Sequence, residues 1–463
     1  MTALAQGRRL DLSVPRRVHV VGVGGAGMSA LATALAGMGH RVSGSDVKES
    51  AVLERLRASG VAVRVGHDPA YVRGADAVAY SSAVPETNPE LAEARRRGIL
   101  LLHRAEALAS VAATRRVLAV AGSHGKTTTA SMLALILVDA GMRPSFIIGG
   151  ELNEVGTGAV WDRGEWLVVE ADESDGSFLE LAPEAAVLTS VEPDHLDAYG
   201  SIEALERAFG RFMAQTGGLR VYCADDPAAA ALAQASPGLT YGTAVGADYR
   251  LVRVRPGRQG VGFELAGPEG PLGRVRLRLP GRHNALNAAA ATALAMGVGA
   301  SFPDCQRALS RFTGVARRFE LRGRSRGVTF VDDYAHNPGK VRAALEAARE
   351  GGWERVVCVF QPHRYSRTHS LRHHFAGAFD RADLVVVTDV YPAGEEPVPG
   401  VSGQLIVDEV RRASPWLPVE YLPTRHDLLE RLPLLLRPGD LCLTLGAGDL
   451  TSLPDELMAL PRW

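Results

Sequence analysis

The chain has 463 residues, of which 46% are hydrophobic and 22% charged, and its formal net charge is −1. This length exceeds what one core usually supports and suggests about three domains. The balanced charge gives no reason to expect binding to nucleic acid or to a membrane surface. The cysteines, Cys223, Cys305, Cys358 and Cys442, have no metal-binding or redox spacing, and no apolar run has signal-peptide or transmembrane length. A cytoplasmic protein is therefore expected.

The first third of the chain predicts a fold that binds a nucleotide diphosphate. A strand begins at Arg17, a glycine-rich turn follows, and the pattern of a helix runs through Leu31 and Leu35. The next strand ends in Asp46. In dinucleotide folds a carboxylate at this distance from the glycines binds a ribose hydroxyl, and the diphosphate lies at the N-terminus of the helix. The glycines do not give the complete G-x-G-x-x-G pattern, and purely structural glycines are the alternative. After a further strand, the loop Ser81–Pro85 is expected at the same sheet edge.

The stretch from Val117 to Ala130 carries the clearest chemical signal. It predicts a buried strand, the loop Gly-Ser-His-Gly and then a helix, so that successive backbone N–H groups and a helix N-terminus form a site for an anion. Lys126 adds a positive charge for terminal phosphates, and the Thr127 hydroxyl can bind a phosphate-associated Mg²⁺. The loop has two residues between its glycines where the standard phosphate loop has four, so it matches a shorter variant. An ordinary turn with a chance Lys-Thr pair is the alternative, and ATP binding is predicted.

Two predicted strands of the middle third end in acidic residues. Because the carboxyl ends of parallel strands meet at one edge of a sheet, we expect these groups to lie near the ATP phosphates. Mg²⁺ takes oxygen ligands and often only one or two protein carboxylates, while capping of helices is the alternative role for some of these acids. The residues expected to converge are Glu170, Asp172, Glu173, Asp194 and His195.

Polar residues also follow the predicted strands and helix of the last part of the chain. Asn284 and Asn287 lie three apart in an alanine-rich helix, where their amides could read an adenine edge or Asn284 could cap the helix. In the C-terminal third, histidines and arginines collect where strands end, which indicates a site for an anionic substrate. Arginine suits a carboxylate because its planar fork donates two parallel hydrogen bonds. This group comprises His336, His363, Arg364 and Arg367.

Taken together, the ordered stretches of the chain resemble the Mur ligase family. The resemblance covers nearly the whole sequence and rests on HVVGVGGAGMSALA, SGSD, SSAVPETNPE, GSHGKTTT, VVEADESDGSF, EPDHLDAYG, GRHNALNAAAA, RRFE, DDYAHNP, FQPHRYSRT, DVYPAGEEP and GAGD. It implies an α/β fold of three domains. These are a Rossmann-like UDP-sugar domain (1–107), a central P-loop ATPase-like domain with a doubly wound, mostly parallel sheet (108–313), and a Rossmann-like amino-acid domain (314–463).

The resemblance also implies an activity. The glycine-rich start, SSAVPETNPE and FQPHRYSRT favour the family members that use ATP to join L-alanine to the lactyl carboxylate of UDP-N-acetylmuramate, through an acyl phosphate, in cytoplasmic peptidoglycan synthesis. A recycling ligase that joins a preformed peptide to the same sugar nucleotide is the nearest alternative. Domain closure is expected to assemble the site. The chain is expected to work as a monomer or a weak homodimer. A nicotinamide-dependent oxidoreductase and a non-catalytic nucleotide switch are the alternatives from other classes.

By resemblance, each ligand has a set of residues. The UDP-sugar is assigned to Gly22, Gly24, Gly25, Ala26, Gly27, Asp46, Ser81, Ser82 and His124. ATP is assigned to Gly122, Ser123, His124, Gly125, Lys126, Thr127, Thr128, Asn284, Asn287, Arg318 and Asp333. The amino acid is assigned to His336, His363, Arg364 and Arg367, and two Mg²⁺ ions to Thr127 with Glu170 and to His195. The catalytic residues would be Lys126, Glu170, His195, Arg318 and His336.

The sequence departs from the family pattern in three places. Some Mur ligases use a carbamylated lysine beside a metal, but no lysine lies between Lys126 and Lys340, so that segment cannot supply one. Asn337 stands where the alanine-adding members commonly have a second histidine, which bears on selectivity for L-alanine. The segment Gly149–Gly156 matches only in part, which bears on the contacts to the sugar.

Overall fold

The computed structural model describes residues 8–81, 83–174, 176–193 and 196–460. The chain forms two compact units. The first comprises Met1–Val252, Glu264–Val275 and Leu286–Phe312, and the second comprises Arg253–Phe263, Arg276–Ala285 and Thr313–Trp463. Helices alternate with three mostly parallel sheets, so the predicted α/β class is confirmed. Among the described residues, no helix combines the length and the apolar character needed to cross a membrane.

The N-terminal sheet has the strand order β3-β2-β1-β4-β5, and all its described pairs are parallel. Its elements are β1 (Arg17–Val21), α1 (Ala26–Gly37), β2 (Arg41–Asp46), α2 (Ala51–Ala58), β3 (Ala62–Val65), β4 (Ala77–Tyr80), α3 (Pro89–Arg97), β5 (Leu100–His103) and α4 (Arg104–Ala112). The order reverses between β1 and β4, which is where such sheets bind ligands at their carboxyl edge. The glycine-rich turn follows β1 and therefore lies at this point, as predicted.

The central sheet has ten strands in the order β15-β14-β13-β12-β11-β10-β6-β9-β7-β8. Its elements are β6 (Arg116–Ala121), α5 (Lys126–Asp139), β7 (Ser145–Leu152), β8 (Thr157–Val160), β9 (Trp166–Glu170), β10 (Ala185–Leu188), α6 (Leu196–Tyr199), α7 (Ile202–Ala214), β11 (Arg220–Cys223), α8 (Pro227–Ala235), β12 (Leu239–Gly242), β13 (Tyr249–Gly257), β14 (Gly260–Gly267), β15 (Gly270–Leu277), α9 (Arg282–Gly297) and α10 (Phe302–Arg311). Strands β6, β9 and β10 are almost wholly buried, because helices cover both faces of a parallel sheet. Since β6 lies between β9 and β10, the loops after these three strands are neighbours.

The C-terminal sheet has the order β16-β17-β21-β18-β19-β20, with β16 antiparallel to β17 and the other pairs parallel. Its elements are β16 (Glu320–Ser325), β17 (Val328–Asp333), α11 (Pro338–Glu350), β18 (Val356–Phe360), α12 (Tyr365–Leu371), β19 (Leu384–Val387), α13 (Gln404–Ala413), β20 (Val419–Tyr421), α14 (Arg425–Leu435), β21 (Leu441–Leu445) and α15 (Leu453–Ala459). Apolar side chains of the central strands pack on both faces of this sheet. The loops after β17, β18 and β19 consequently collect at one edge.

Candidate active site

The phosphate loop between β6 and α5 can be built only with glycine at its two ends. Gly122 has φ +128°, and a Cβ atom there would lie 2.1 Å from Thr189 Oγ1. Gly125 has φ +79°, and a Cβ atom there would lie 2.5 Å from Oδ1 of Asn287, which belongs to α9. Both positions therefore exclude a side chain, by backbone conformation and by close approach. The predicted ATP residue Asn287 thus contacts the loop itself.

The middle of the loop is attached to the segment that follows β10. Ser123 N donates to Ser190 O over 2.9 Å and His124 N donates to Ser190 Oγ over 3.1 Å. The Ser123 hydroxyl donates to Glu192 O, and His124 Nε2 lies 3.1 Å from Glu192 Oε2. Both of these backbone N–H groups have acceptors within the protein. The backbone N–H groups of the first turn of α5, as far as Thr128, are therefore the ones that can donate to a bound anion.

Lys126 lies in a strongly acidic pocket. Its Nζ donates to Gly122 O over 2.7 Å and to both carboxylate oxygens of Glu173 over 2.9 and 2.7 Å. Burial lowers the pKa of Lys126, but the carboxylates of Glu173, Glu170 and Asp172 outweigh this effect and the pKa is raised. The lysine is therefore charged, and a phosphate that binds here competes with Glu173 for it.

The carboxylate of Glu170 is held beside the loop by two donors. The Thr127 hydroxyl donates to its Oε1 over 2.9 Å, and Gly149 N, from β7, donates to its Oε2 over 3.0 Å. A Cβ atom on residue 149 would lie 2.8 Å from that oxygen, so glycine is needed for this approach. A hydroxyl next to a fixed carboxylate suits Mg²⁺, a hard ion that binds oxygen.

The described residues contain no group of three or more His, Cys, Asp or Glu side chains arranged to hold a metal. Four of the residues singled out from the sequence, Ser82, Asp175, Asp194 and His195, lie outside the described residues.

A residue without a predicted role, Arg104, connects the glycine-rich turn of the N-terminal sheet with the acidic segment after β9. Its Nη2 lies 3.3 Å from Asp172 Oδ2, and a Cβ atom on Gly27 would lie 3.0 Å from its Nη1. A cation over the start of α1 is unfavourable by itself, because the helix dipole is positive there. The Asp172 carboxylate offsets this. Burial raises the pKa of Asp172, but Lys126 and Arg104 outweigh it and the pKa is lowered.

The glycine turn, defined as Gly22–Gly27, is held by the last residues of β2. Gly22 N donates to Ser45 O over 2.9 Å, and Gly24 N donates to Asp46 Oδ2 over 2.8 Å. The Ser81 hydroxyl lies 4.0 Å from the position of a Cβ atom on Gly22, at the end of β4. The structure thus brings together the turn and the predicted residues Asp46 and Ser81, and Asp46 also fixes the turn.

In the second unit, His336 and His363 face one another. Their ring centroids are 5.6 Å apart, and the His363 ring stacks on Tyr391 at 5.8 Å. His336 Nδ1 lies 2.8 Å from Tyr334 O, and because a carbonyl only accepts, Nδ1 carries the hydrogen. Burial, followed by Lys340 and Arg367, brings the pKa of His336 well below its ordinary value. His336 Nε2 is therefore a lone-pair acceptor at neutral pH.

Arginines surround His363. Arg367 Nη1 lies 3.1 Å from His363 Nδ1, and since a guanidinium only donates, this ring nitrogen accepts. Burial, followed by Arg367 and Arg364, lowers the pKa of His363 to about 4. The predicted amino-acid residues are thus neighbours and carry net positive charge, as a site for a carboxylate requires.

Strained backbone marks the same edge. Arg317, Phe319 and Arg364 have φ values of 62°, 49° and 68°, in a region that residues with side chains adopt uncommonly. Such strain is frequent at functional sites because the surrounding contacts must enforce it. For Arg317 the enforcing contacts are hydrogen bonds to Gly446 O and Gly448 O.

Two further predicted ATP residues lie near this strained segment. Asp333 Oδ2 accepts from Phe319 N over 2.8 Å, and its Oδ1 accepts from Ala335 N over 2.7 Å. Burial raises the pKa of Asp333 despite the nearby charge of Arg318. The Arg318 guanidinium lies over the Tyr334 ring, 5.4 Å from its centroid. Asp333 therefore fixes the loop after β17. Each of its carboxylate oxygens has a second lone pair that can accept a hydrogen bond from a ligand.

The remaining predicted ATP residue, Asn284, lies in the first turn of α9, which begins at Arg282. Its Nδ2 donates to Pro280 O over 2.7 Å. This bond holds the chain that leads into the helix and orients the side-chain amide.

Comparisons with known proteins agree with this arrangement. Family models match three parts of the chain: "Mur ligase family, catalytic domain" over residues 17–116, "Mur ligase middle domain" over 120–295, and "Mur ligase, glutamate ligase domain" over 317–448. The chain belongs to the Mur ligase family. UDP-N-acetylmuramate–L-alanine ligase of Pelotomaculum thermopropionicum is 46% identical over 448 residues, 96% of this chain and 97% of the relative. The enzyme of that name from Rubrobacter xylanophilus is 48% identical over 452 residues, 96% and 99% of the two chains.

A solved Mur ligase structure has the same fold throughout. UDP-N-acetylmuramate-alanine ligase of Thermotoga maritima superposes with a TM-score of 0.80 at 29% identity, covering 96% of this chain and 98% of that one. A murein peptide ligase of Psychrobacter arcticus has a TM-score of 0.72 at 23% identity and shares the fold.

Within this Mur ligase, Asn337 has a structural role that the sequence did not reveal. Its Oδ1 accepts from Lys340 N over 2.9 Å, so it is the N-cap of α11. The contacts of Gly149 with Glu170 and of Arg104 with Asp172 were likewise not predicted. Glu173 was expected near the phosphates, but not as the partner of Lys126. A useful signal was present for Gly149, because glycines in a strand often mark a close approach.

Proposed function

We propose that this chain is an ATP-dependent ligase that joins L-alanine to the lactyl carboxylate of UDP-N-acetylmuramate, in the cytoplasmic synthesis of peptidoglycan precursors. The observation that carries the proposal is the phosphate loop with its charged Lys126 and fixed Glu170, in a Mur ligase chain whose full-length relatives bear that enzyme name. The proposed substrates are ATP, UDP-N-acetylmuramate and L-alanine.

The first proposed step is transfer of the γ-phosphoryl group. A lactyl carboxylate oxygen bonds to the γ-phosphorus, the bond from that phosphorus to the bridging oxygen breaks, and ADP leaves with the electron pair. A carboxylate is a poor electrophile, and the acyl phosphate that forms is a good one. The protein needs to position the reactants and offset their negative charge, which is the role of Lys126 and the first turn of α5.

The second proposed step is attack by the amine of L-alanine. Its nitrogen bonds to the carbonyl carbon, and phosphate leaves from the tetrahedral intermediate with the electrons of the C–O bond. The amine must lose a proton. His336 Nε2 can accept it, because Tyr334 O holds the hydrogen on Nδ1 and leaves a lone pair on Nε2. Arg364 and Arg367 are the proposed partners of the alanine carboxylate.

We propose that Mg²⁺ binds beside the phosphates at Thr127 and Glu170, and a second ion at His195. Bound Mg²⁺ would neutralise phosphate charge. The hydroxyl and carboxylate present fit the first ion. No lysine lies between Lys126 and Lys340, so that segment supplies no carbamylated lysine. The proposed UDP-sugar residues are the glycine turn, Asp46, Ser81, Ser82 and His124. Proposed domain boundaries remain 1–107, 108–313 and 314–463, and the proposed assembly is a monomer or weak homodimer.

The test is release of phosphate by the purified chain with ATP, Mg²⁺ and UDP-N-acetylmuramate, with and without single amino acids or the recycled peptide. L-Alanine should stimulate release, and Lys126→Ala should abolish it. Stimulation by the peptide but not by L-alanine would instead identify a recycling ligase. ATP binding without any substrate-stimulated turnover would identify a nucleotide switch.

A further inference from the structure

The N-terminal sheet contains a buried polar cluster that the proposed chemistry does not use. Its centre is Glu90, whose side chain is fully buried in the first turn of α3. We call it the Glu90 network, and its members are Glu90, His19 on β1, Ser45 on β2, and His67 and Asp68 after β3. A buried carboxylate is costly unless donors satisfy it, so a cluster of this kind requires a reason.

Both oxygens of Glu90 accept two hydrogen bonds. Oε2 accepts from His19 Nε2 over 2.9 Å and from Ser45 Oγ over 2.7 Å. Oε1 accepts from His67 Nδ1 over 3.1 Å and from Asp68 N over 3.2 Å. Burial raises the pKa of Glu90, but the bonds from His19, Ser45 and His67 outweigh it and the pKa is lowered. The four donors thus surround an ionised carboxylate.

The network meets the glycine turn at Ser45. While the Ser45 side chain donates to Glu90, its backbone oxygen accepts from Gly22 N and Val23 N over 2.9 and 3.0 Å. The residues on either side of Ser45 also hold the turn. A Cβ atom on Gly44 would lie 2.8 Å from Val23 Cβ, and Asp46 Oδ2 accepts from Gly24 N.

Ser45 and Asp46 at the end of β2 therefore fix Gly22, Val23 and Gly24 of the turn by hydrogen bonds. Ser45 is also bonded to the buried carboxylate. We infer that Glu90 is a positioning residue for the sugar-nucleotide site: through Ser45 it fixes the backbone of the glycine turn and with it the start of α1, so that the N–H groups of Ala26 and Gly27 are preorganised for the diphosphate. The inference rests on the proposed function, because it assigns the turn to UDP-N-acetylmuramate. Neither Glu90 nor Ser45 contacts substrate in this account.

Substitutions can separate this role from simple structural support. Glu90→Gln keeps the size of the side chain but replaces one carboxylate oxygen with an NH₂ group. Either His19 and Ser45 or His67 and Asp68 then lose their acceptor. Ser45→Ala removes the bond to Glu90 and the 3.2 Å contact of Ser45 Oγ with His67 Nδ1, a second member of the network. Ser43→Ala is the matched control: Ser43 lies on the same strand and its Oγ is 2.8 Å from His19 Nδ1, at the end of the network away from the turn.

The experiment measures kcat, KM for each substrate, thermal stability and calorimetric binding of UDP-N-acetylmuramate for these three variants and the wild type. Glu90→Gln and Ser45→Ala should each raise KM and Kd for the sugar nucleotide about tenfold, the effect of roughly one lost hydrogen bond. Their kcat at saturation and their KM for ATP should stay within about twofold of wild type, the pattern seen when binding is lost equally in the ground state and the transition state. Ser43→Ala should leave all four values near wild type.

Unchanged sugar-nucleotide KM and Kd in folded Ser45→Ala would overturn the inference and leave the network a purely structural role. An equal rise in KM for ATP, or the same rise in Ser43→Ala, would also overturn it, because neither follows from a displaced glycine turn. Failure of the proposed function is distinct, since the wild type would then neither bind nor turn over UDP-N-acetylmuramate.

Discussion

Replacement of Glu173 with glutamine would remove the buried partner of Lys126 while conserving the size of the side chain. Lys126 is 11% exposed and Glu173 is 1% exposed, so the substitution leaves a charged ammonium in a nearly solvent-free pocket. Breaking a buried pair in this way costs about 3–5 kcal/mol. Since Glu170 and Asp172 remain close enough to stabilise the charge, we expect the lower end, about 3 kcal/mol.

This cost can be measured by thermal unfolding with and without ADP. For a folding unit of about 150–250 residues, each kcal/mol shifts the Tm by about 2–4 °C, so Glu173→Gln should lower the Tm by about 6–12 °C. Added ADP should raise the Tm of the variant more than that of the wild type. The reason is that phosphate restores an anionic partner to Lys126 in the variant, whereas in the wild type it displaces one.

Glu165→Gln is the control for loss of a carboxylate on the same sheet. Glu165 pairs with Arg116 at the surface, where both side chains are about half exposed, so its loss should cost at most about 1 kcal/mol. The reasoning about Lys126 is refuted if Glu173→Gln unfolds at the same temperature as Glu165→Gln. It is also refuted if ADP stabilises Glu173→Gln no more than it stabilises the wild type.

Three other predictions concern single positions. Gly122→Ala should abolish ATP-dependent turnover and calorimetric ATP binding, because its Cβ would meet Thr189 Oγ1. The circular dichroism spectrum should show that the other sheets stay folded. Measurable ATP binding would contradict this prediction. Asn337→Ala should lower the free energy of unfolding by about 1 kcal/mol through loss of the helix cap, whereas Asn337→Asp should retain it; equal urea midpoints would contradict the capping role. The pKa of His363 is lowered to about 4, so its contribution to stability is complete above about pH 6.5 and declines toward pH 4 as the unfolded chain takes up the proton. His363→Gln should therefore reduce the loss of urea midpoint between pH 7 and pH 5, and an unchanged loss would exclude His363 as a cause.

The sequence was sufficient to predict the glycine turn after β1 and the phosphate loop after β6, because each combines an apolar strand with glycines that only one backbone geometry explains. Strands β7, β8 and β11–β15 were not predicted. The acids at and after the end of β9 were expected near the phosphates, and Glu170, Asp172 and Glu173 lie beside Lys126 or Thr127 of the phosphate loop. Their partners were not predictable: Glu173 binds Lys126 and Glu170 binds Thr127, although Glu173 follows Glu170, the last residue of β9, by only three residues. The alternation of side chains along a strand predicts the face of the sheet on which a residue lies. It does not predict which of several nearby acidic residues pairs with a lysine.

Contacts between distant segments were likewise not predictable. Arg104 is one of many arginines, and only the fold places it between Gly27 and Asp172. Asn337 shows the converse case. From the sequence, the asparagine at this position differed from the family pattern and raised a question about selectivity for L-alanine. In the structure, Asn337 is the N-cap of α11.

The contact between Gly125 and Asn287 has a consequence for how the protein forms. The phosphate loop follows β6 early in the central part of the chain, but the side chain that packs against it comes from α9, after the last strand of the central sheet. A contact so distant in sequence requires closure of a long loop, which slows folding and delays the contact during synthesis on the ribosome. Nascent chains released before α9 has emerged should therefore contain the loop without the asparagine that encloses it, and nucleotide would not stabilise them as it stabilises the finished protein.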